Sequence, residues 1–168
     1  DVLKAQLEGL LSAGDFDTAL QLLQQAVNEE PKNMSFRVEL ADVLIRQQLL
    51  DDAATVLAGI PEDAEDRDRP ATRLALCQEA AELPELAQLQ VSVEQSPDDL
   101  DGVYQLAVKS AAEGDFEAAL ELAMSILQRD REFRDDLGRL TMVKIFVVLG
   151  KGSDLATRYR RRMFNFMH

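Results

Sequence analysis

Tryptophan is absent from the 168 residues, cysteine and histidine occur once each, and aromatic side chains make up only 5%. Each shortage removes a class of function. A lone Cys77 rules out an internal disulfide. A structural zinc site needs several Cys or His ligands, and neither is available in number. The one histidine is His168, the last residue. A hydrolytic triad needs an imidazole that is held in place, which a chain end does not provide. Long hydrophobic runs are also missing: the stretch 145–149 is far too short to span a bilayer. No Gly-rich phosphate loop and no calcium-loop pattern occurs. The expectation is a protein with no catalytic residues, no metal and no cofactor.

Positive charge is scarce as well, with 18 Lys and Arg against 31 Asp and Glu, for a net charge of -13. The imbalance is uneven. Residues 1–149 carry 30 acids and 13 bases, while residues 150–168 carry one acid and five bases. An acidic body repels phosphates, so nucleic acid is not expected as a ligand. Paired acids at Asp51-Asp52, Asp98-Asp99 and Asp135-Asp136 read as charges at helix N-termini, where the dipole favours them.

What the chain does have is alanine and leucine in a repeating order. Ala19, Ala53, Ala87 and Ala119 follow at spacings of 34, 34 and 32, and Leu-Ala pairs stand thirteen residues before the last three. Gly14-Asp-Phe-Asp-Thr-Ala-Leu20 returns as Gly114-Asp-Phe-Glu-Ala-Ala-Leu120, identical at five of seven positions. A 34-residue period of helical segments resembles the tetratricopeptide repeat (TPR), whose stacked helix pairs form binding scaffolds. The resemblance implies an all-α, TPR-like α-solenoid of about five antiparallel helix pairs in a single domain. The units are expected at about 1–31, 32–66, 67–97 and 98–130, with an atypical C-terminal pair at 131–168.

Local signals place the helices. Gly14-Asp15 separates helices at about 2–13 and 16–29, with Asp15 as N-cap. The second unit has helices at about 35–47 and 51–58, stopped by Gly59 and Pro61. Residues 61–69, rich in Asp and Glu, read as a solvated acidic loop. Pro70 and Pro84 suit the first turns of the third unit's helices. Ser96-Pro-Asp-Asp99 resembles a capping box for the fourth. Helices at about 133–149 and 153–166 follow, split by Gly150-Lys-Gly152. Small residues at the alanine positions let neighbouring helices approach, and Cys77 reads as a core residue.

The last helix is the local anomaly: Arg158-Tyr-Arg-Arg-Arg-Met-Phe-Asn-Phe-Met-His168. Two readings apply. Tyr159, Met163 and Phe166 share one face and can cover the end of the repeat stack, with the cations favoured by the helix C-terminus. Alternatively, Arg158, Tyr159, Arg160, Arg161, Arg162, Phe164 and Phe166 form a docking element for a protein partner. The groove offers no such signal. Repeat domains that clamp the C-terminal carboxylate of Hsp70 or Hsp90 use Asn, Lys and Arg on their first helices. Here Asn28, Asn33 and Asn165 all fall outside those helices.

Several stretches together point to a narrower family. They are Ala53 to Pro61 (AATVLAGIP), Tyr104 to Ala107, Gly114 to Leu122 (GDFEAALEL), Leu127 to Arg131 (LQRDR), Arg139 through Leu149-Gly150, and Tyr159-Arg160-Arg161. In this order they resemble the C-terminal TPR region of the bacterial thioredoxin-fold co-chaperone YbbN family, also called CnoX or chaperedoxin. That resemblance implies a cytoplasmic ATP-independent holdase, binding unfolding client proteins and cooperating with the GroEL chaperonin and the DnaK system. It implies a thioredoxin-like domain preceding Asp1, docking through residues 158–168, no membrane association and no oxidoreductase role for Cys77. The alternative is a different acidic bacterial TPR adaptor, such as a secretion chaperone or assembly scaffold.

Overall fold

The computed structural model describes residues 2–168, and among these the regular elements are ten α-helices and no strands. They are α1 (Val2–Ser12), α2 (Phe16–Glu29), α3 (Met34–Arg46), α4 (Leu50–Ala58), α5 (Asp68–Ala81), α6 (Leu86–Gln95), α7 (Leu100–Ala112), α8 (Phe116–Arg129), α9 (Leu137–Leu149) and α10 (Asp154–Met167). The chain forms two compact units, Asp1–Leu74 and Ala75–His168.

In the first unit α1 packs on α2, α2 on α3 and α3 on α4. Gly14, at φ 75°, makes the tight turn, and Asp15 accepts the Thr18 N–H at 3.1 Å. Ala19, Leu23, Val38, Ala41, Ile45, Ala53 and Leu57 make the core. Inside it lies a charged group that the alternation of apolar residues does not announce. Asp42, its side chain 2% exposed, meets Arg46 at 3.3 Å, Arg69 at 3.1 Å and Arg73 at 3.0 Å. Arg69 also pairs with Glu39 and with Asp66. Burial pushes the Glu39 carboxyl up, against the pull of Arg69. Burial also disfavours the Arg69 cation, but the Asp66 hydrogen bond and the Asp42 and Glu39 charges outweigh it. A buried carboxylate without these partners would be strongly destabilising.

The acidic segment is therefore only partly a solvated loop. Glu62, Asp63 and Glu65 are exposed, but Arg67 turns in to donate to the Ile60 and Leu57 carbonyls, both at 3.1 Å. The Leu57 carbonyl lies in the last turn of α4, where a cation is favoured, and Ile60 follows just past the helix end. Helix α5 then starts at Asp68, within the stretch read as loop.

In the second unit α6 packs on α7, α7 on α8 and α8 on α9, with α10 lying on α8 and α9. Leu76, Ala80, Val108, Leu120, Leu127, Met142, Ile145 and Phe146 anchor one core cluster. Cys77 is buried, as a core residue. Tyr104 donates to Glu79 at 2.6 Å, and burial raises its phenol further above the ordinary value. Lys109 donates to the Ala80 carbonyl at 3.0 Å. The turn word repeats in geometry as well as in letters: Gly114 has φ 88°, and Asp115 accepts the Ala118 N–H at 3.2 Å.

One rung of the alanine ladder departs from its expected place. Ala19, Ala53 and Ala119 are fully buried, whereas Ala87 is exposed. The reason lies in the preceding turn. Ala19, Ala53 and Ala119 are each the fourth residue of their helix, entered through a left-handed residue at Gly14, Gln48 or Gly114. Before α6 that place is taken by Pro84, whose ring fixes φ near -65° and forbids the left-handed turn. Helix α6 starts late, at Leu86, so Leu89 takes the fourth position and is the buried residue. The capping box at Ser96 is also replaced. Asp99 itself caps α7, accepting the Asp101 N–H at 3.1 Å and the Gly102 N–H at 3.4 Å.

Candidate functional site

Helix α10 is built with two unlike faces. Ser153 caps it, accepting the Ala156 N–H at 3.1 Å. Ala156 and Tyr159 are buried, and Met163 and Met167 pack at spacings of four against the same core cluster. Tyr159 is 3% exposed and donates its hydroxyl to Glu121 of α8. Arg162 binds the same carboxylate and lies 4.9 Å from the Tyr159 ring centroid. The hydrogen bonds from Arg162 and Tyr159 hold Glu121 below the usual carboxylate range. Burial and the Glu121 hydrogen bond push the Tyr159 phenol up to about 12.

The remaining arginines divide by position. Arg158 is 3.8 Å from Glu117 and flanks Tyr159. Arg160 lies over the Phe146 ring at 4.9 Å. Arg161 has neither ion pair nor hydrogen bond among the described residues and is exposed. Phe164 is 61% exposed, with its ring 4.5 Å from His168. Arg161, Phe164 and His168 recur at spacings of three and four, which puts them on one stripe facing away from the core. Phe166 is 40% exposed. The seven sequence-selected residues thus split: Tyr159, Arg158 and Arg162 attach the helix to α8, and Arg161, Phe164 and Phe166 are left outward, with Arg160 at the edge. The covering face holds Met167 where the sequence leads one to expect Phe166, because spacings of four from Tyr159 lead through Met163 to Met167.

Beside the end of α10 the α8–α9 connection forms an open cleft of mixed charge, lined by Gln128, Arg129, Asp130, Arg131, Glu132, Asp135 and Asp136 together with Phe166 and Met167 of α10. Its backbone is unusual. Arg134, Asp135 and Asp136 have φ of 45°, 57° and 70°, three consecutive non-glycine residues in the left-handed region, each disfavoured by about 1–2 kcal/mol. Two ion pairs hold the segment: Arg134–Asp101 at 2.6 Å and Asp136–Arg139 at 2.5 Å. Helix α9 starts at Leu137 rather than near 133, and its first turn holds no acid. Asp136 is the N-cap residue of α9, at the helix N-terminus as read from the sequence though its side chain caps no N–H, and it lines the cleft together with Asp135.

Sequence reasoning missed this cleft and the Asp42 cluster. An aspartate between Leu40-Ala41 and Val43-Leu44-Ile45 was the available signal for the latter. Among the described residues no cluster of three or more His, Cys, Asp or Glu could hold a metal ion, and no helix is long and apolar enough to cross a membrane.

Helix pairs closed by left-handed turns, with a terminal helix exposing aromatic and cationic side chains, define a helical-repeat interaction protein. Two tetratricopeptide repeat family models match the chain, over residues 10–77 and 79–168. The chain belongs to the tetratricopeptide repeat family, is all-α with the TPR-like α-solenoid class of fold, and is a protein–protein interaction module. Members of this family are generally non-catalytic. Among solved structures, a domain of protein VP0806 (unknown function) from Vibrio parahaemolyticus RIMD 2210633 is similar at 30% identity, covering 99% of this chain and 98% of that one, with a TM-score of 0.47. The structure of MamA is similar at 17% identity, covering 95% and 92%, with a TM-score of 0.39. No curated protein matches the chain.

Proposed function

We propose that the chain is the interaction module of a cytoplasmic thioredoxin-like co-chaperone, a holdase that binds unfolding proteins and works with the GroEL chaperonin and the DnaK system. The observation that carries the reading is the outward face of α10. A phenylalanine 61% exposed beside an arginine with no ion pair among the described residues is an unusual surface for a chain this acidic, and buried Tyr159 holds it in a fixed orientation. Exposed aromatics with arginine are the side chains that anchor protein interfaces. The resemblance of the 127–131 and 159–161 stretches to the co-chaperone family supplies the partner class. A thioredoxin-like domain preceding Asp1 belongs to the same proposal.

The holdase part is tested by light scattering from a thermally unfolding client enzyme, with and without an excess of the chain. Suppressed scattering is the expected result. Unchanged scattering, by the chain alone and by a longer form that includes any upstream domain, overturns it. Removing residues 158–168 is a poor test of docking, because it takes Tyr159 out of the core. Arg161→Glu with Phe164→Ala changes only the outward stripe.

A further inference from the structure

Helices α9 and α10 pack on each other and are joined by a short turn at residues 150–153, so they run antiparallel. Two contacts fix how α10 is turned. Tyr159 and Arg162 reach Glu121 of α8, while Arg160 lies over the Phe146 ring of α9 at 4.9 Å. One flank of α10 therefore faces α8 and the other faces α9. Phe164 stands four residues after Arg160, and Arg161 three before Phe164, so both continue the α9-side flank toward solvent. On α9, Val143 stands three residues before Phe146, with Leu140 and Val147 three and four residues from Val143. This stripe lies opposite buried Thr141, Met142 and Ile145. Leu140 and Val143 are exposed, and Val147 is half-buried. A shallow groove thus runs between the two helices, with the Arg160–Phe146 contact at its floor. Helices of 13 and 14 residues make it about 20 Å long.

We infer that this groove docks an acidic amphipathic helix of a partner protein, with the apolar stripe of that helix on Leu140, Val143 and Phe164 and its carboxylates on Lys144, Arg160 and Arg161. A helix laid in a groove is held by apolar anchors one turn apart, which is the spacing the α9 wall offers. Charge selects the partner. Residues 137–168 hold seven bases and one acid, whereas residues 1–136 hold 11 bases and 30 acids. Helix α9 contains no acid, and the one acid of α10 is Asp154, in its first turn. At the other end of the groove Asp136 is taken up by Arg139 at 2.5 Å. Lys144, Arg160 and Arg161 have no ion pair among the described residues. An acidic helix is therefore repelled by most of the chain and attracted here, while a basic one is rejected here. The apolar side chains stand on two helices, on either side of the Arg160–Phe146 contact. That recess fits a third helix better than it fits the flat surface of a bilayer.

The inference rests on the proposed docking reading for the α10 side alone; the α9 wall is a separate observation. Peptide binding can fail while Arg161 and Phe164 still carry a chaperonin contact, and the reverse, so the two readings fail separately. The probe is a fluorescein-labelled synthetic helix about 14 residues long, with leucines at spacings of three and four and glutamates flanking them. A twin carries lysine in place of each glutamate. In fluorescence anisotropy with the purified chain at low salt, the glutamate peptide is expected to bind saturably and at least about tenfold tighter than its twin. Binding is expected to weaken at about 500 mM salt. Leu140→Ser with Val143→Ser changes two exposed positions of α9 and is expected to weaken binding about tenfold, with unchanged helical circular dichroism. Lys144→Glu with Arg161→Glu is expected to shift the preference toward the lysine twin. No saturable binding of the glutamate peptide overturns the inference. So does equal binding of the twins, or an α9 variant that binds like wild type. Co-sedimentation with phosphatidylglycerol vesicles in place of peptide binding also overturns it and assigns the face to an anionic membrane.

Discussion

Replacing Gly138 by alanine sets two effects of known size against each other. Gly138 is the second residue of α9 and is buried. A Cβ built there would lie 2.8 Å from the Leu127 backbone nitrogen, 3.1 Å from Ile126 Cγ2 and 3.2 Å from the Ala123 carbonyl oxygen. The nearest atoms on α8 are largely main chain, which cannot turn aside as a flexible side chain could. Overpacking of this kind costs about 1–3 kcal/mol, and a backbone contact places it in the upper part of that range. Against it stands a gain of about 1 kcal/mol or less, because alanine is the better helix former and restricts the unfolded chain. The steric clash wins, and the net expectation is a loss of about 1–2 kcal/mol. For a chain of this size that lowers Tm by about 2–8 °C in thermal unfolding followed by circular dichroism. Because α10 rests on both α8 and α9, its amides should also exchange faster. An unchanged or raised Tm would refute the close approach of α8 and α9 and leave helix propensity as the larger effect.

Other expectations come from the same structure. Ala53→Leu or Ala119→Leu should lower stability by about 1–3 kcal/mol in urea titration, while Ala87→Leu should stay within about 0.5 kcal/mol. The reverse ranking would contradict the shifted third rung. Asp42→Ala removes the carboxylate that Arg46, Arg69 and Arg73 share and should cost about 3 kcal/mol or more, with Asp42→Asn between it and wild type in the same titration. Tyr159→Phe keeps the ring but loses the Glu121 bond, at about 1 kcal/mol. The pH signs follow from the shifts. Glu121 is held below its usual range, so its contribution is present above its unfolded pKa and fades as pH falls through the folded value. Tyr159 is pushed up to about 12, so its contribution is present below an unfolded pKa of about 10 and is lost as pH rises through about 12. Glu121→Gln should remove the acid-side part, read as a smaller difference from wild type at pH 3 than at pH 7.

Most of the helices were legible because repeated local chemistry placed them. Gly14-Asp15 and Gly114-Asp115 name both the left-handed turn and its cap, and α2 falls where that signal puts it. The third rung differs because periodicity aligns letters, whereas burial follows the helix start. Pro84 moves that start by two residues, and Leu89 replaces Ala87. Arg67, Arg69 and Asp42 were illegible for another reason. A charge run announces hydration, and only the folded chain turns two of its arginines inward, Arg67 onto the Leu57 and Ile60 carbonyls and Arg69 onto Glu39 and Asp42 of α3. For the candidate site, the sequence singles out α10, but it does not separate Tyr159 and Arg162, which attach it, from Arg161 and Phe164, which it presents. That division depends on Glu121, 38 residues from Tyr159.

The central claim is that α10 presents a fixed outward face to a protein partner. Its most direct test is the Kd for purified GroEL chaperonin, measured by fluorescence anisotropy for the wild-type chain and for Arg161→Glu with Phe164→Ala. The expected result is a Kd weaker by about tenfold or more at an unchanged Tm, since neither side chain supports the core. An equal Kd for the two forms would contradict the claim.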